Sequence, residues 1–170
     1  MFLDEIGEMP LSMQVKVLHV IQEKQILRLG GTTPVNLDIR LIAASNKDIK
    51  KATAEGTFRE DLYYRLCVLE IQLPPLRERG EDIPLLVKHF VQKFSKKAGK
   101  VVNGFTDEAV NAMVSYNWPG NIRELINVIE RGTILSQNDQ LTMEDLPPHI
   151  KNYEPETPST RKMQSIAEAE

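Results

Sequence analysis

Short apolar runs alternate with helical stretches over the first part of the chain. Residues 1–3 are apolar and predict the end of a buried strand, and residues 39–44 form a second run of strand length. Runs that are apolar on both faces are typical of parallel strands covered by helices. A third strand candidate spans residues 68–73. Strands that alternate with helices indicate an α/β fold with a parallel sheet.

Three further features lie between these strands. Apolar residues recur at helical spacing after Pro10, which predicts a helix to about Lys24 with Leu11, Val15 and Leu18 on its inner face. Two apolar stretches around Gly30-Gly31 predict a hairpin. Helical composition then extends to about residue 54, and the stretch FREDLYYRL at residues 58–66 is also predicted to be helical.

The pattern changes at Pro74-Pro75, beyond which only helix signals are found. Helices are predicted to begin near Asp82, Thr106 and Gly120, and Thr142 with Asp145 three residues later predicts a last short turn. The sequence therefore predicts three parts: an α/β part over 1–75, a small all-helical domain over 76–150, and a polar, proline-bearing flexible linker over 151–170.

Composition places few further limits on the chain. The 170 residues are 41% hydrophobic and 26% charged with a net charge of −3, and no basic block predicts a nucleic-acid or membrane surface. The single cysteine, Cys67, excludes an internal disulfide and is predicted to be an inert core residue. No apolar run approaches the roughly 18 residues that a membrane span needs, so a cytoplasmic protein is expected.

Asp4 and Glu5 directly follow the first predicted strand, and Asn46 follows the second. Carboxylates at the carboxyl edge of a parallel sheet can organise Mg²⁺ and activate a water molecule in a nucleotide hydrolase. A neutral amide at that edge can bind a phosphate oxygen or the water. The alternatives are a solvated acidic pair at a helix N-terminus for Asp4-Glu5 and an ordinary turn residue for Asn46.

Three arginines are the candidate phosphate-binding cations. Arg59 and Arg65 flank the helical stretch, and either could be presented to a phosphate held by another subunit, or could pair with local acids. Arg123 lies in the motif WPGNIREL at residues 118–125, in the first turn of a predicted helix. A cation there opposes the helix dipole, so its partner should be an anion: a phosphate or a neighbouring glutamate.

Other kinds of site are absent from the sequence. A phosphate-binding loop needs G-x-x-x-x-G-K-[ST], and the only Gly-Lys, Gly99-Lys100, is followed by Val101. The three histidines are dispersed and there is one cysteine, so no zinc site is predicted.

These pieces together resemble the AAA+ ATPase domain of sigma-54-dependent bacterial transcription activators. FLDEIGEMPLSMQVKVL resembles the Walker B segment of that family, and LRLGGTTPVNLDIRLIAASNKD resembles its sensor I region. The resemblance continues through GTFREDLYYRLCVLEIQLPPLRERGEDIPLL and ends in YNWPGNIRELINVIERGTIL, which is similar to the sensor II signature. It covers residues 1 to about 150, so the resemblance implies a partial AAA+ core followed by a helical lid.

The resemblance also implies a role for each candidate residue. Asp4 would be the Mg²⁺-associated Walker B acid, Glu5 the acid that activates water, and Asn46 the sensor I residue. Arg59 and Arg65 match the two arginines considered as fingers acting on a neighbouring subunit, and Arg65 is favoured. Arg123 matches sensor II. The cofactors implied are ATP and Mg²⁺, and fingers acting between subunits imply a hexameric or heptameric ring.

In that family the Walker A loop and the loop that engages sigma-54 precede Walker B, whereas Met1 stands where Walker B begins. The chain alone is therefore expected neither to bind ATP tightly nor to hydrolyse it. It would contact sigma-54 RNA polymerase through upstream sequence and DNA only through a downstream helix-turn-helix domain. Two alternatives stay open: a non-enzymatic subunit that docks with AAA+ neighbours, and an AAA+ remodeller outside transcription.

Overall fold

The computed structural model describes residues 1–154, which divide into two compact units, Met1–Gln72 and a second unit that begins at Leu73. Each unit has its own hydrophobic core. Of the predicted linker over 151–170, residues 155–170 lie outside the described residues, and Lys151 ends the last helix. No helix within residues 1–154 combines the length and apolarity required to cross a membrane.

The first unit contains four short strands and three helices. In chain order they are β1 (Phe2–Leu3), α1 (Leu11–Glu23), β2 (Gln25–Leu27), β3 (Pro34–Asn36), β4 (Ile42–Ala43), α2 (Ile49–Ala54) and α3 (Glu60–Leu66). Strand β1 pairs in parallel with β4, and β2 pairs with β3 as the predicted hairpin. The prediction of an α/β fold with parallel pairing is therefore confirmed.

The predicted strands are shorter and less covered than the apolar runs indicated. Only Ile42–Ala43 of residues 39–44 pairs, and the side chains of Phe2 and Ile42 are 61% and 53% exposed. The third strand prediction, residues 68–73, is wrong, because no strand within residues 1–72 pairs with this segment. Its four apolar side chains are each at least 74% exposed. Cys67, predicted to lie in the core, is exposed as well.

The core of the first unit comes from helices α1, α2 and α3 and from the turns that precede α1 and α3. Its buried apolar side chains are Ile6, Leu18, Ala52, Phe58 and Leu62. The apolar face predicted for α1 is only partly correct, since Leu11 and Val15 are nearly half exposed whereas the polar Gln14 is fully buried. Pro10 precedes the first turn of α1, where a missing N–H group leaves no hydrogen bond unmade.

The second unit is mainly helical. Its elements are α4 (Ile83–Ala98), β5 (Gly104–Phe105), α5 (Asp107–Ser115), α6 (Asn121–Leu135), β6 (Gln140–Leu141) and α7 (Pro148–Lys151). The expectation that this part has no strand is wrong, because β5 and β6 form a parallel pair. Two-residue strands leave no alternation in the sequence from which they could be predicted.

Sequence signals for the helix starts are partly confirmed. The Thr106 hydroxyl accepts the Ala109 N–H at 3.4 Å and caps α5. The predicted short turn at Thr142 is present, and Thr142 forms a capping box with Asp145 there. Asp82 precedes α4 without capping it by its side chain and instead pairs with Arg79 at 2.8 Å. Helices α4 and α6 contribute seven of the sixteen core side chains of the second unit, including the fully buried Ile83, Leu125 and Ile129.

Candidate functional site

The structure places the segment after β1 directly beside the segment after β4. The Ile6 N–H donates to the Ala44 carbonyl at 2.9 Å, which extends the parallel pairing past the strands. A Cβ atom on Gly7 would lie 2.6 Å from the Ser45 Oγ, so any other residue would force the Ser45 side chain to move. The Asp4-Glu5 segment and the Asn46 segment therefore share one edge of the sheet, where parallel strands present ligand-binding residues.

Asp4 and Glu5 are both exposed at this edge. Glu5 has φ 51°, a left-handed conformation that is uncommon for a residue with a side chain. The Asp4 Oδ1 accepts the Glu5 N–H at 3.0 Å. Within residues 1–154 neither carboxylate forms an ion pair, whereas Glu8 binds Lys47 at 2.7 Å. The two acids are held by their backbone and are open to a ligand.

Asn46 lies at the bend that follows β4. The Ser45 Oγ accepts the Lys47 N–H at 3.0 Å, a side-chain turn that holds the bend around Asn46. The Asn46 side chain itself is exposed. The bend is also fixed from the other segment by the Lys47–Glu8 pair.

The two arginines of α3 differ in their surroundings. Arg59 precedes the helix and its guanidinium donates to both carboxylate oxygens of Asp61, at 3.0 and 2.6 Å. This hydrogen bonding raises the pKa of Arg59 and lowers the pKa of Asp61. Arg65 lies in the last turn, is exposed, and has no ion-pair partner within the described part of the chain.

Arg123 belongs to the second unit, at the start of α6. Trp118 on the preceding turn and Asn121, the first residue of the helix, have φ 48° and 51°. Both are anchored: the Trp118 indole N–H donates to the Met113 carbonyl at 2.7 Å, and the Asn121 Oδ1 accepts the Leu76 N–H at 2.9 Å. Strained backbone that is fixed in this way often marks a functional site.

The anionic partner expected for Arg123 is not the neighbouring glutamate. Glu124 accepts the Gly120 N–H at 2.9 Å and the Tyr116 hydroxyl at 3.3 Å. Burial and the Glu124 carboxylate together raise the pKa of Tyr116. Arg123 is exposed and, among residues 1–154, has no ion-pair partner.

Carboxylates at the sheet edge are a suitable but minimal donor set for Mg²⁺. Within residues 1–154 no group of three or more His, Cys, Asp or Glu side chains is arranged to hold a metal ion. Mg²⁺ typically uses one or two protein carboxylates together with water and phosphate oxygens. The exposed Asp4-Glu5 pair therefore fits Mg²⁺ bound with a nucleotide rather than a closed metal site.

Two features of the first unit were not predicted as parts of the site. One is Gly7, whose missing side chain allows the two segments to meet. The other is Gln14, a fully buried amide on α1 that contacts the start of α3. The sequence signal for Gln14 is its position as a polar residue in the middle of the apolar face predicted for α1.

Two family models match the chain along most of its length. Residues 1–72 match the sigma-54 interaction domain, and residues 77–163 match the AAA+ ATPase lid domain. The chain belongs to the sigma-54-interacting AAA+ ATPase family. The recognition made from the Walker B, sensor I and sensor II segments is thus confirmed.

Curated relatives support the same family. The regulatory protein AtoC of Escherichia coli is 49% identical over 89% of this chain and 33% of its own length. The DNA-binding transcriptional regulator NtrC of Rhizobium meliloti is 47% identical over 93% of this chain and 32% of its own length. The chain spans about a third of the length of the curated relatives it matches.

Solved structures of NtrX from Brucella abortus have the same fold as this chain. The crystal structure of NtrX from Brucella abortus in complex with ATP has a TM-score of 0.80 at 36% identity, and covers 99% of this chain and 40% of that protein. The complex of NtrX with ADP has a TM-score of 0.79 at 39% identity, over 88% of this chain and 35% of that protein.

Proposed function

We propose that the chain forms part of an AAA+ ATPase that couples ATP hydrolysis to activation of sigma-54 RNA polymerase and so regulates transcription. The observation that carries this proposal is the joining of the Asp4-Glu5 and Asn46 segments at one sheet edge. The match to the sigma-54 interaction domain and the NtrX complex with ATP support it.

The residues of the sheet edge divide the chemistry among them. Asp4 would hold the Mg²⁺, which supplies charge neutralisation for the phosphates when it is bound. Glu5 would accept a proton from the attacking water, or orient it. Asn46 would donate its amide N–H to a phosphate oxygen or the water, and as a neutral group it adds no charge that repels the phosphates.

The arginines would supply positive charge to the transferred phosphoryl group. Arg65 is exposed at the end of α3 and has no acidic partner within residues 1–154, so it suits a phosphate bound by a neighbouring copy better than Arg59, which holds Asp61. Arg123 of the lid would bind phosphate oxygens of the nucleotide. A site completed by a neighbouring subunit needs head-to-tail contacts between copies, and a closed ring of six or seven copies is the assembly proposed here.

The partners follow from the whole protein rather than from this chain. Sigma-54 RNA polymerase would be contacted through sequence upstream of the Walker B segment. DNA would be bound by a separate helix-turn-helix domain. A role at promoters implies that the protein works in the cytoplasm.

A segment exchange tests this function. In Escherichia coli AtoC, the 151 residues that match this chain are replaced by the matching residues of this chain. The product is named the exchanged protein. We expect it to release phosphate from ATP and to support sigma-54-dependent transcription at rates near those of unmodified AtoC. Arg65→Ala should abolish both activities, and the control Arg28→Ala, which changes another exposed arginine of the first unit, should leave them intact.

An Arg65→Ala variant with full activity would contradict the role of that side chain. An exchanged protein that folds and assembles but releases no phosphate would contradict the proposed function as a whole.

A further inference from the structure

Gln14 is a fully buried polar residue whose amide makes three hydrogen bonds to two backbone segments, one just before α1 and one just before α3. Its Nε2 donates to the Met9 carbonyl at 2.8 Å and to the Thr57 carbonyl at 3.1 Å. Its Oε1 accepts the Arg59 N–H at 2.8 Å. Both donor hydrogens and the acceptor oxygen are therefore used, as a buried amide requires.

The bond to Arg59 holds the beginning of α3. Arg59 occupies the N-cap position of this helix, and its side chain makes no capping bond. The Arg59 guanidinium turns instead to Asp61, whose Oδ1 also accepts the Leu62 N–H at 2.8 Å. The backbone of Arg59, at the beginning of α3, is thus fixed by a side chain of α1 that is 45 residues away in sequence.

Apolar packing alone would define the position of α3 relative to α1 less precisely. Helices α1 and α3 also meet through Leu18 and Leu62 in the core of the first unit. Apolar contacts are not directional, whereas hydrogen bonds restrict both the distance and the angle between their partners. The Gln14 amide therefore sets the position of the start of α3 relative to α1, and α1 itself follows the Asp4-Glu5 segment.

We propose that Gln14 is a positioning residue for the arginine finger: it fixes α3 so that Arg65 reaches the nucleotide of a neighbouring copy. This inference rests on the proposed function, in which Arg65 acts between subunits. A misplacement of about 1 Å in a group that stabilises a transition state can cost on the order of a hundredfold in rate. Gln14 would then affect the neighbour's site more than its own.

Mixing of variants of the exchanged protein separates these two effects. Glu5→Gln subunits have a defective site of their own and intact fingers, and Arg65→Ala subunits have the opposite defect. A mixture of the two should recover phosphate release, because sites of the Arg65→Ala subunits receive fingers from the Glu5→Gln subunits. Failure of this reference mixture would contradict the proposed function itself, whatever Gln14 does.

The variant Gln14→Met keeps the volume of the side chain and removes all three hydrogen bonds. Alone, it should lose on the order of a hundredfold in phosphate release. Mixed with Glu5→Gln subunits it should recover activity, and mixed with Arg65→Ala subunits it should not. Recovery with Arg65→Ala, or full activity of Gln14→Met alone, would overturn the inference while the reference mixture still upholds the proposed function.

A second variant guards against a simple folding defect. Gln14→Glu keeps an oxygen that can accept the Arg59 N–H but turns a second oxygen towards the Met9 and Thr57 carbonyls, which repel it. Its finger defect should therefore be at least as large as that of Gln14→Met, with the same recovery in the two mixtures. Folding is checked by the thermal unfolding temperature and assembly by sedimentation. If both variants fail to fold or assemble, the inference is overturned, because Gln14 would then serve the fold and not the placement of Arg65.

Discussion

Polar side chains of this chain fall into two groups according to how their hydrogen bonds are used. The side chains of Gln14 and Glu124 hydrogen-bond backbone groups and so fix the beginnings of helices. Asp4, Glu5 and Arg65 are exposed and, within residues 1–154, have no ion-pair partner. The first group builds the scaffold, and the second is available for the nucleotide and Mg²⁺ of the proposed function.

Thr133 is a fully buried residue of α6 whose hydroxyl has no hydrogen-bond partner within the described residues. Thr133→Val replaces the hydroxyl by a methyl group of similar size, so the free energy of unfolding should rise by about 1 kcal/mol. The same change at Thr106, which caps α5, should lower it by about 1 kcal/mol. Urea unfolding measures both, and a loss of stability in Thr133→Val would contradict the prediction.

Gly120 is required by its contact with Glu124 rather than by its backbone conformation. A Cβ at this position would lie 2.8 Å from the Glu124 Cβ. Gly120→Ala should therefore displace Glu124 from the start of α6 and lower the free energy of unfolding by about 1–3 kcal/mol.

Gly80→Ala is the matched control for this change, because its Cβ would meet nothing closer than 3.7 Å. Thermal unfolding of both variants checks the prediction. Equal stability of the two variants would contradict the prediction, because it would show that Glu124 can move without loss of stability.

Helices and strands of this fold differ in how well the sequence alone predicts them. Helix α6 (Asn121–Leu135) begins one residue after its predicted start at Gly120, because apolar residues at helical spacing extend over four turns. Strands β5 and β6 have two residues each and were missed. Residues 68–73 have strand composition but no strand to pair with in the described structure, which sequence composition cannot reveal.

Residues of the candidate site also differ in how well the sequence alone predicts them. Asp4, Glu5 and Asn46 could be proposed from their positions after apolar runs, since chemistry is concentrated at the ends of parallel strands. The role of Gln14 could not, because its three partners are defined only once α1 and α3 pack together. Long-range hydrogen bonds of this kind leave no local pattern.

The exposed segment 68–73 gives a prediction at the scale of one element. Because Leu69 and Ile71 are 80% and 74% exposed, the double variant Leu69→Lys with Ile71→Lys should change the free energy of unfolding by less than about 0.5 kcal/mol. It should also reduce association at high protein concentration, since exposed apolar segments promote it.

Urea unfolding and sedimentation at several concentrations measure the two effects. The control Leu62→Ala removes a fully buried side chain and should cost about 2–5 kcal/mol. A comparable loss in the double lysine variant would mean that residues 68–73 are packed in the folded chain.

The two units differ in the size of their cores. Within residues 1–154 the second unit buries sixteen apolar side chains in its core and the first buries five. Amide hydrogens of α4 and α6 should therefore exchange at least about tenfold more slowly than those of α1 and α3. A unit with a smaller core needs less free energy to open and expose its amides to water. Hydrogen exchange with peptide resolution measures this, and equal protection in all four helices would contradict it.

Glu5 is the residue on which the proposed chemistry of the whole molecule depends most. In the exchanged protein, Glu5→Gln should still bind ATP but lower phosphate release by at least about a hundredfold, the loss typical of removing a general base. Glu8→Gln, the same change three residues later, loses only the charge of a half-exposed pair with Lys47, and its amide oxygen can still accept the Lys47 hydrogen bond, so most of the activity should remain. Phosphate release per bound ATP in these two variants is the most direct test. A Glu5→Gln protein as fast as Glu8→Gln would show that this sheet edge does not activate the water.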